Sequence, residues 1–177
     1  MCDRTEFILN TLLMIIGITR ILNMPQIAIH NIQLQHIRFD RNPNFYIEHE
    51  NSHIPIRYNI SIEHEYHQAH LIVHVKVKSP GEEEDRTLPF YFEIVIAGDF
   101  KLIGEVEDSM IHQYANINCP AIIFPYLREI LADITRRAGF PPLHLQPVNF
   151  MKLNKRLSVQ EKSAAVKKIR KKKASNL

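Results

Sequence analysis

The sequence predicts an α+β fold, a four-stranded antiparallel sheet followed by a long helix and a C-terminal helix. Three observations predict it. Four segments with two-residue apolar periodicity fall within residues 27–96. Segments with helical periodicity follow them as a block, without alternating strand and helix. The connections between successive strands are short, which favours an antiparallel meander over parallel pairing.

The elements follow in order. Phe7–Thr19 is uncharged and mostly apolar, yet as a helix of thirteen residues it would rise only about 20 Å, short of a bilayer core of about 30 Å. Asp3, Arg4 and Glu6 precede it and no small-x-small site follows, so a signal peptide fits poorly. Residues 1–24 therefore read either as an added helix packed on the body or as an upstream extension, with Met24 as the true start. Residues 27–39 read as the first strand, with apolar pairs Ile27/Ile29, Ile32/Leu34 and Ile37/Phe39. Spacing is two within pairs and three between them, so the strand is bulged, strongly bent or buried on both faces. Asn42-Pro43-Asn44 breaks it. Residues 54–66 and 70–78 alternate cleanly, and a polar turn at 79–86 leads to a fourth strand at 87–96. There Leu88, Phe90, Phe92, Ile94 and Ile96 share one face, and Tyr91, Glu93 and Val95 the other.

Asp108-Ser109 reads as the cap of a short helix reaching about Asn116. The main helix is expected from about Ala121 to Ala138, with Ile123, Leu127, Ile130, Leu131, Ile134 and Ala138 as its apolar stripe. Phe124 and Tyr126 lie off that stripe. Pro120 suits a first turn, Pro125 should bend it, and Gly139 with Pro141-Pro142 ends the helix. A last helix is expected over about Val148–Ile169. An exposed four-stranded sheet has two edges open to pairing, and the main helix has more apolar width than one sheet needs, so the chain is expected to self-associate.

The 177 residues suit one domain with a real core. The net charge of +3 hides an asymmetry: Lys152–Lys173 carries ten of the 22 Lys+Arg, leaving 12 basic against 18 acidic side chains in residues 1–150. Residues 154–177 read as a basic tail on an acidic body. The tail is either a solvated solubility segment or a contact for anionic lipid or RNA. Cys2 and Cys119 form no CxxC, which excludes a cysteine zinc site and a disulfide framework.

Chemistry is sparse. His64, His67, His70 and His74 surround one hairpin turn, but polar hairpin residues explain them better than zinc does, which wants four converging ligands. Cys119 reads as a small buried residue more readily than as an activated thiol. No GxGxxG, P-loop or nucleophile arrangement occurs. Neither an enzyme nor a resident metal is expected.

The most specific stretch is Asn118–Phe150. Asn118-Cys119-Pro120, Phe124-Pro125-Tyr126, Arg128-Glu129, Gly139-Phe140-Pro141-Pro142-Leu143, Leu145 and Pro147-Val148-Asn149-Phe150 closely resemble the signature of SecB, the bacterial protein-export chaperone family. The resemblance spans about Gln26 to Leu153, within a chaperone domain set at residues 25–153. It implies a cytoplasmic, ATP-independent and cofactor-free holdase that keeps secretory precursors unfolded and passes them to SecA. It also implies a dimer of dimers with the long helices between dimers. By the same resemblance, Phe90, Phe92, Ile94 and Ile96, with Tyr58 and Ile60, serve client binding or assembly, and Asp40, Tyr91 and Glu93 dock a basic element of SecA. His36 stands where the family has an acidic residue. That departure keeps a second reading open: a SecB-like chaperone for a narrow client such as an antitoxin, without SecA.

Overall fold

The computed structural model describes residues 26–45, 55–81 and 87–156. The extension at 1–24 and the tail beyond 156 lie outside these residues. Four strands form one antiparallel sheet: β1 Gln26–Arg41, β2 Asn59–His67, β3 His70–Lys78 and β4 Phe90–Ile103. Their order across the sheet is β1-β4-β3-β2. The expected meander covers β2–β4, while β1 crosses over to lie beside β4, a Greek-key arrangement. β4 runs seven residues beyond its expected end at 96 and is the strand that both β1 and β3 pair with.

The odd spacing in β1 has a structural cause. Register shifts against β4 fall between Ile29 and Asn31 and between Leu34 and His36. Each is where the apolar spacing slips from two to three. A bulge adds one residue to one strand, so it resets which side chains share a face. Ile27, Ile29, Ile32, Leu34, Ile37 and Phe39 therefore sit opposite Leu102, Phe100, Gly98, Ile96, Ile94 and Phe92, all on one face of the sheet.

Helices cover that face. α1, Asp108–Gln113, runs through a π-helical segment, Tyr114–Asn118, directly into α2, Cys119–Arg137. Two separate helices were expected here, but Gln113, Tyr114, Asn118 and Cys119 all keep helical dihedrals. Pro120 lacks the N–H that would bond one turn back, and a widened turn just before it accommodates that loss. Glu107, not Asp108, occupies the cap position of α1, and it makes no side-chain cap hydrogen bond. The other end of α2 agrees with expectation. Gly139 sits at φ +85°, Phe140 N–H donates to Thr135 C=O at 3.0 Å, and Gly139 N–H donates to Arg136 C=O at 3.1 Å. These two bonds are the Schellman pair that closes a helix. Residues 150–156 are helical, the start of the expected last helix.

The core lies between sheet and helices. Leu71, Val73, Val75 and Val77 of β3 and Ile123, Leu127 and Leu131 of α2 are fully buried. Phe124, off the main apolar stripe, is 4% exposed, and Phe150 packs edge-on against it at 5.6 Å. Thr135 is also fully buried: its hydroxyl donates to Leu131 C=O and accepts Leu143 N–H, both at 2.9 Å, which ties the Pro-Pro segment to the helix. Cys119 is fully buried and desolvation pushes its thiol up to about 12, so it stays protonated.

α2 crosses β4 at Gly98. A Cβ there would lie 2.5 Å from the Phe100 ring and 2.9 Å from Ile123 Cδ1. Gly98→Ala should destabilise the fold by about 1–3 kcal/mol through overpacking. Urea unfolding should show a lower midpoint with an unchanged slope, whereas Gly81→Ala, where a Cβ meets nothing within 4 Å, should show little change.

Candidate functional site

The sheet separates the candidate residues onto two faces. Phe90, Phe92, Ile94 and Ile96 all point toward the helices and are only 0–3% exposed. Phe90 stacks on Phe39 at 5.0 Å and meets Phe140 at 4.9 Å. They were expected to meet clients or a second copy directly. In the structure the helices cover them, and they form the core.

Tyr58 and Ile60 are half-buried and pack at the margin of that core, on the β2 side. Tyr58 lies in the extended segment before β2, in a cleft of about 510 Å³ with Ile56, Arg57, Asn59 and Pro80. On the opposite edge, Ile29, Leu34 and Ile37 of β1 are 54, 45 and 39% exposed. Together with half-buried Ile27, Ile32 and Phe39 they form one continuous apolar row on the helix-bearing face. Tyr126, off the main stripe of α2, is exposed. Sequence reasoning missed the β1 row because its exposure depends on β1 being an edge strand.

The uncovered face carries the other set. Asp40 pairs in register with Tyr91, and Glu93 with Arg38. Asp40, Tyr91 and Glu93 thus meet, lining a cleft of about 330 Å³ with Arg38, Lys78 and Pro80. Two hydrogen-bonded corners shape its end. Ser79 Oγ accepts the Phe92 N–H at 2.9 Å, and the Asn42 side chain donates to Leu88 C=O at 2.9 Å.

The electrostatics of this face differ from the expectation of a free acidic patch. Lys76 forms an ion pair with Glu93 Oε1, and Lys78 lies 3.7 Å from Oε2. Arg38 Nε donates to Asp40 Oδ2 at 2.6 Å. The Lys76 hydrogen bond, assisted by the charges of Lys76, Lys78 and His36, holds the Glu93 carboxyl below its ordinary value against opposing desolvation. Three permanent cations therefore surround two carboxylates. The signal was cross-strand: Lys76 and Lys78 alternate on β3, but only the register places Lys78 directly opposite Glu93.

The hairpin histidines diverge. His64 lies on the helix-bearing face with its ring 6.4 Å from that of His112, and burial first, then His112, lowers its pKa. His70 turns the other way, with Nδ1 2.8 Å from Asp99 Oδ1 and its ring edge-on to His30.

The sequence matches the family described as preprotein translocase subunit SecB over residues 21–161, a stretch that includes all four strands and the helices. The chain belongs to the SecB family. A protein-export protein SecB from Xanthobacter autotrophicus is 40% identical over 89 residues, covering 50% of this chain and 56% of that protein. Another from Paramagnetospirillum magneticum is 31% identical over 136 residues, covering 74% and 84%. The chain spans about half the length of several of the curated relatives it matches. A solved structure of a SecB-like chaperone from Mycobacterium tuberculosis, in complex with an antitoxin peptide, aligns with 73% of this chain and 91% of that one. Its TM-score is 0.49 at 18% identity.

Because the Glu93 carboxyl is held low in the fold, its pairing contributes stability above the unfolded-state value of about 4.3 and loses it as pH falls through the lower folded value. Glu93→Gln should therefore flatten the acid limb of a stability–pH profile below about pH 5 while altering stability little at pH 7, since such part-exposed pairs are worth about 0.2–1 kcal/mol. An unchanged acid limb would show that the pairing carries no weight in solution.

Proposed function

We propose that this SecB-family chain is an ATP-independent cytoplasmic holdase that keeps precursor polypeptides unfolded for export. The observation that carries the reading is the family match across residues 21–161, which takes in sheet and helices as one unit. The structure adds a surface suited to it. A holdase for many sequences needs apolar area without directional contacts, because hiding apolar segments from water is itself non-directional. The β1 row of Ile29, Leu34 and Ile37 and the Tyr58 cleft with half-buried Ile60 supply such area at opposite edges of the sheet. A continuous exposed apolar row also invites a second copy, and assembly as a dimer of dimers is part of this reading. Phe90, Phe92, Ile94 and Ile96 then act as the floor that fixes both edges. Among the described residues, no helix is long and apolar enough to cross a membrane.

Hand-off to SecA is the finer part of the proposal. Asp40, Tyr91 and Glu93 would dock the motor from the uncovered face, where they line one cleft. A second reading, a chaperone for a narrow client such as an antitoxin without SecA, is favoured by one observation: both carboxylates already hold cations of their own chain. The basic tail, in contact with anionic lipid or RNA, fits either reading.

Two measurements test the proposal. Substoichiometric protein should suppress aggregation of a chemically unfolded precursor without ATP, and Tyr58→Ala combined with Leu34→Ser should weaken that suppression severalfold while the protein stays folded. Full suppression by the double variant would place the client elsewhere. Direct titration with SecA should show binding that Glu93→Lys removes. Absence of binding by the unaltered chain would favour the narrow-client reading.

A further inference from the structure

We propose that Lys76 and Lys78 act as built-in counter-ions that a docking partner must displace, so that docking on the uncovered face is an exchange of ion pairs and not the filling of a vacant acidic patch. The inference rests on the reading of Asp40, Tyr91 and Glu93 as the SecA-docking set and adds what controls it.

The geometry is specific. Glu93 has both carboxylate oxygens occupied from β3, Oε1 by Lys76 and Oε2 by Lys78 at 3.7 Å. Arg38 stands directly opposite Glu93 on β1 and commits its Nε to Asp40 at 2.6 Å. Among the described residues, an incoming cation therefore finds no carboxylate lining this cleft without a partner from its own chain. Exchange is nevertheless available, because the competing side chains are long stems reaching the surface: the Lys76, Lys78 and Arg38 side chains are 38, 50 and 69% exposed. A displaced lysine swings into water at little desolvation cost, whereas Glu93, at 23% exposure, stays in place at the cleft wall. The occupant is a lysine- or arginine-bearing segment, since Glu93 and Asp40 can replace one cation by another but cannot pair with an anion.

Two consequences separate exchange from simple docking. First, removing the lysines should strengthen the binding of a cationic partner. Second, exchange forms about as many pairs as it breaks, so added salt screens both sides and the salt dependence is shallow. With the lysines gone, binding forms new pairs only, and the dependence becomes steep.

The experiment titrates the full chain, K76Q/K78Q, and K76Q/K78Q/E93Q with purified SecA, with a short lysine-rich peptide and with a glutamate-rich peptide of equal length, at low and physiological salt. K76A/K78A serves as a second version of the double variant, and thermal unfolding checks that each remains folded. The double variants are expected to bind SecA and the cationic peptide about tenfold more tightly, with a steeper salt dependence, and the triple variant to lose the gain. SecA binding that is unchanged or weaker in both double variants would overturn the exchange while leaving the docking reading intact. Tighter binding of the cationic peptide with no SecA binding by any variant would support the exchange and remove SecA as the partner. Binding of the glutamate-rich peptide alone, lost in the double variants, would overturn the proposal by showing that the lysines themselves are the docking groups.

Discussion

The seating of α2 on β4 is the constraint on which the rest of this structure depends. β4 is paired on both sides and carries Phe90, Phe92, Ile94, Ile96, Phe100 and Leu102 on one face, all 4% exposed or less. The helix reaches that face only because Gly98 leaves room for Ile123 and the Phe100 ring. Once α2 lies there, the sheet has one dry face and one wet one. The interior strands β3 and β4 have their apolar side chains capped, and the surplus is forced to the two edges. The exposed β1 row and the half-buried Tyr58 and Ile60 are what one helix layer leaves uncovered on a four-stranded sheet. Cooperative cover of a central strand with weaker cover of the edges is a common way for a protein to be stable inside and adaptable at its margins.

That partition explains what was legible in the sequence. Local signals survived intact. The slips in β1 periodicity mark its two bulges, because a bulge and a change of face are the same event. Gly139 followed by two prolines marks the Schellman end of α2, because few residues other than glycine adopt φ +85° without strain. What failed was non-local. Crossing of β1 to β4 leaves no trace in strand patterns, since a meander and a Greek key differ only in the path between strands. The segment joining α1 to α2 was read as the gap between two helices, with Pro120 in the first turn of the second, yet a widened turn makes them continuous. Phe124 counted as surplus apolar width off the main stripe because its partner, Phe150, lies 26 residues away, beyond a loop. The candidate site divided along the same line: Asp40, Tyr91 and Glu93 do come together, whereas the four β4 residues owe their burial to the helix above them.

The uncovered face shows why carrying a charged residue over by position is incomplete. A carboxylate offers a partner its charge only to the extent that neighbours have not already matched it. By the resemblance, Glu93 and Asp40 stand at acidic positions of the family, and the structure brings them to one cleft. Their neighbours decide otherwise: the pairing partners come from β3 and β1, at positions whose role appears only when strand register is known. His36, the departure from the family pattern in the sequence, stands near carboxylates already matched by Lys76, Lys78 and Arg38.

Surface ion pairs of this kind contribute little to stability, about 0–1 kcal/mol each, so holding the fold together is a weak explanation for three cations around two carboxylates. Their larger effect is on recognition, where like charges exclude wrong partners and opposite charges set the approach. A free acidic patch attracts any polycation, including the basic tail that this chain itself carries from Lys152 onward. Under the proposed exchange, a patch already paired with surface-held lysines would be silent to weak or diffuse cations and would yield only to a segment that can place its charges in register with Glu93 and Asp40 at the same time.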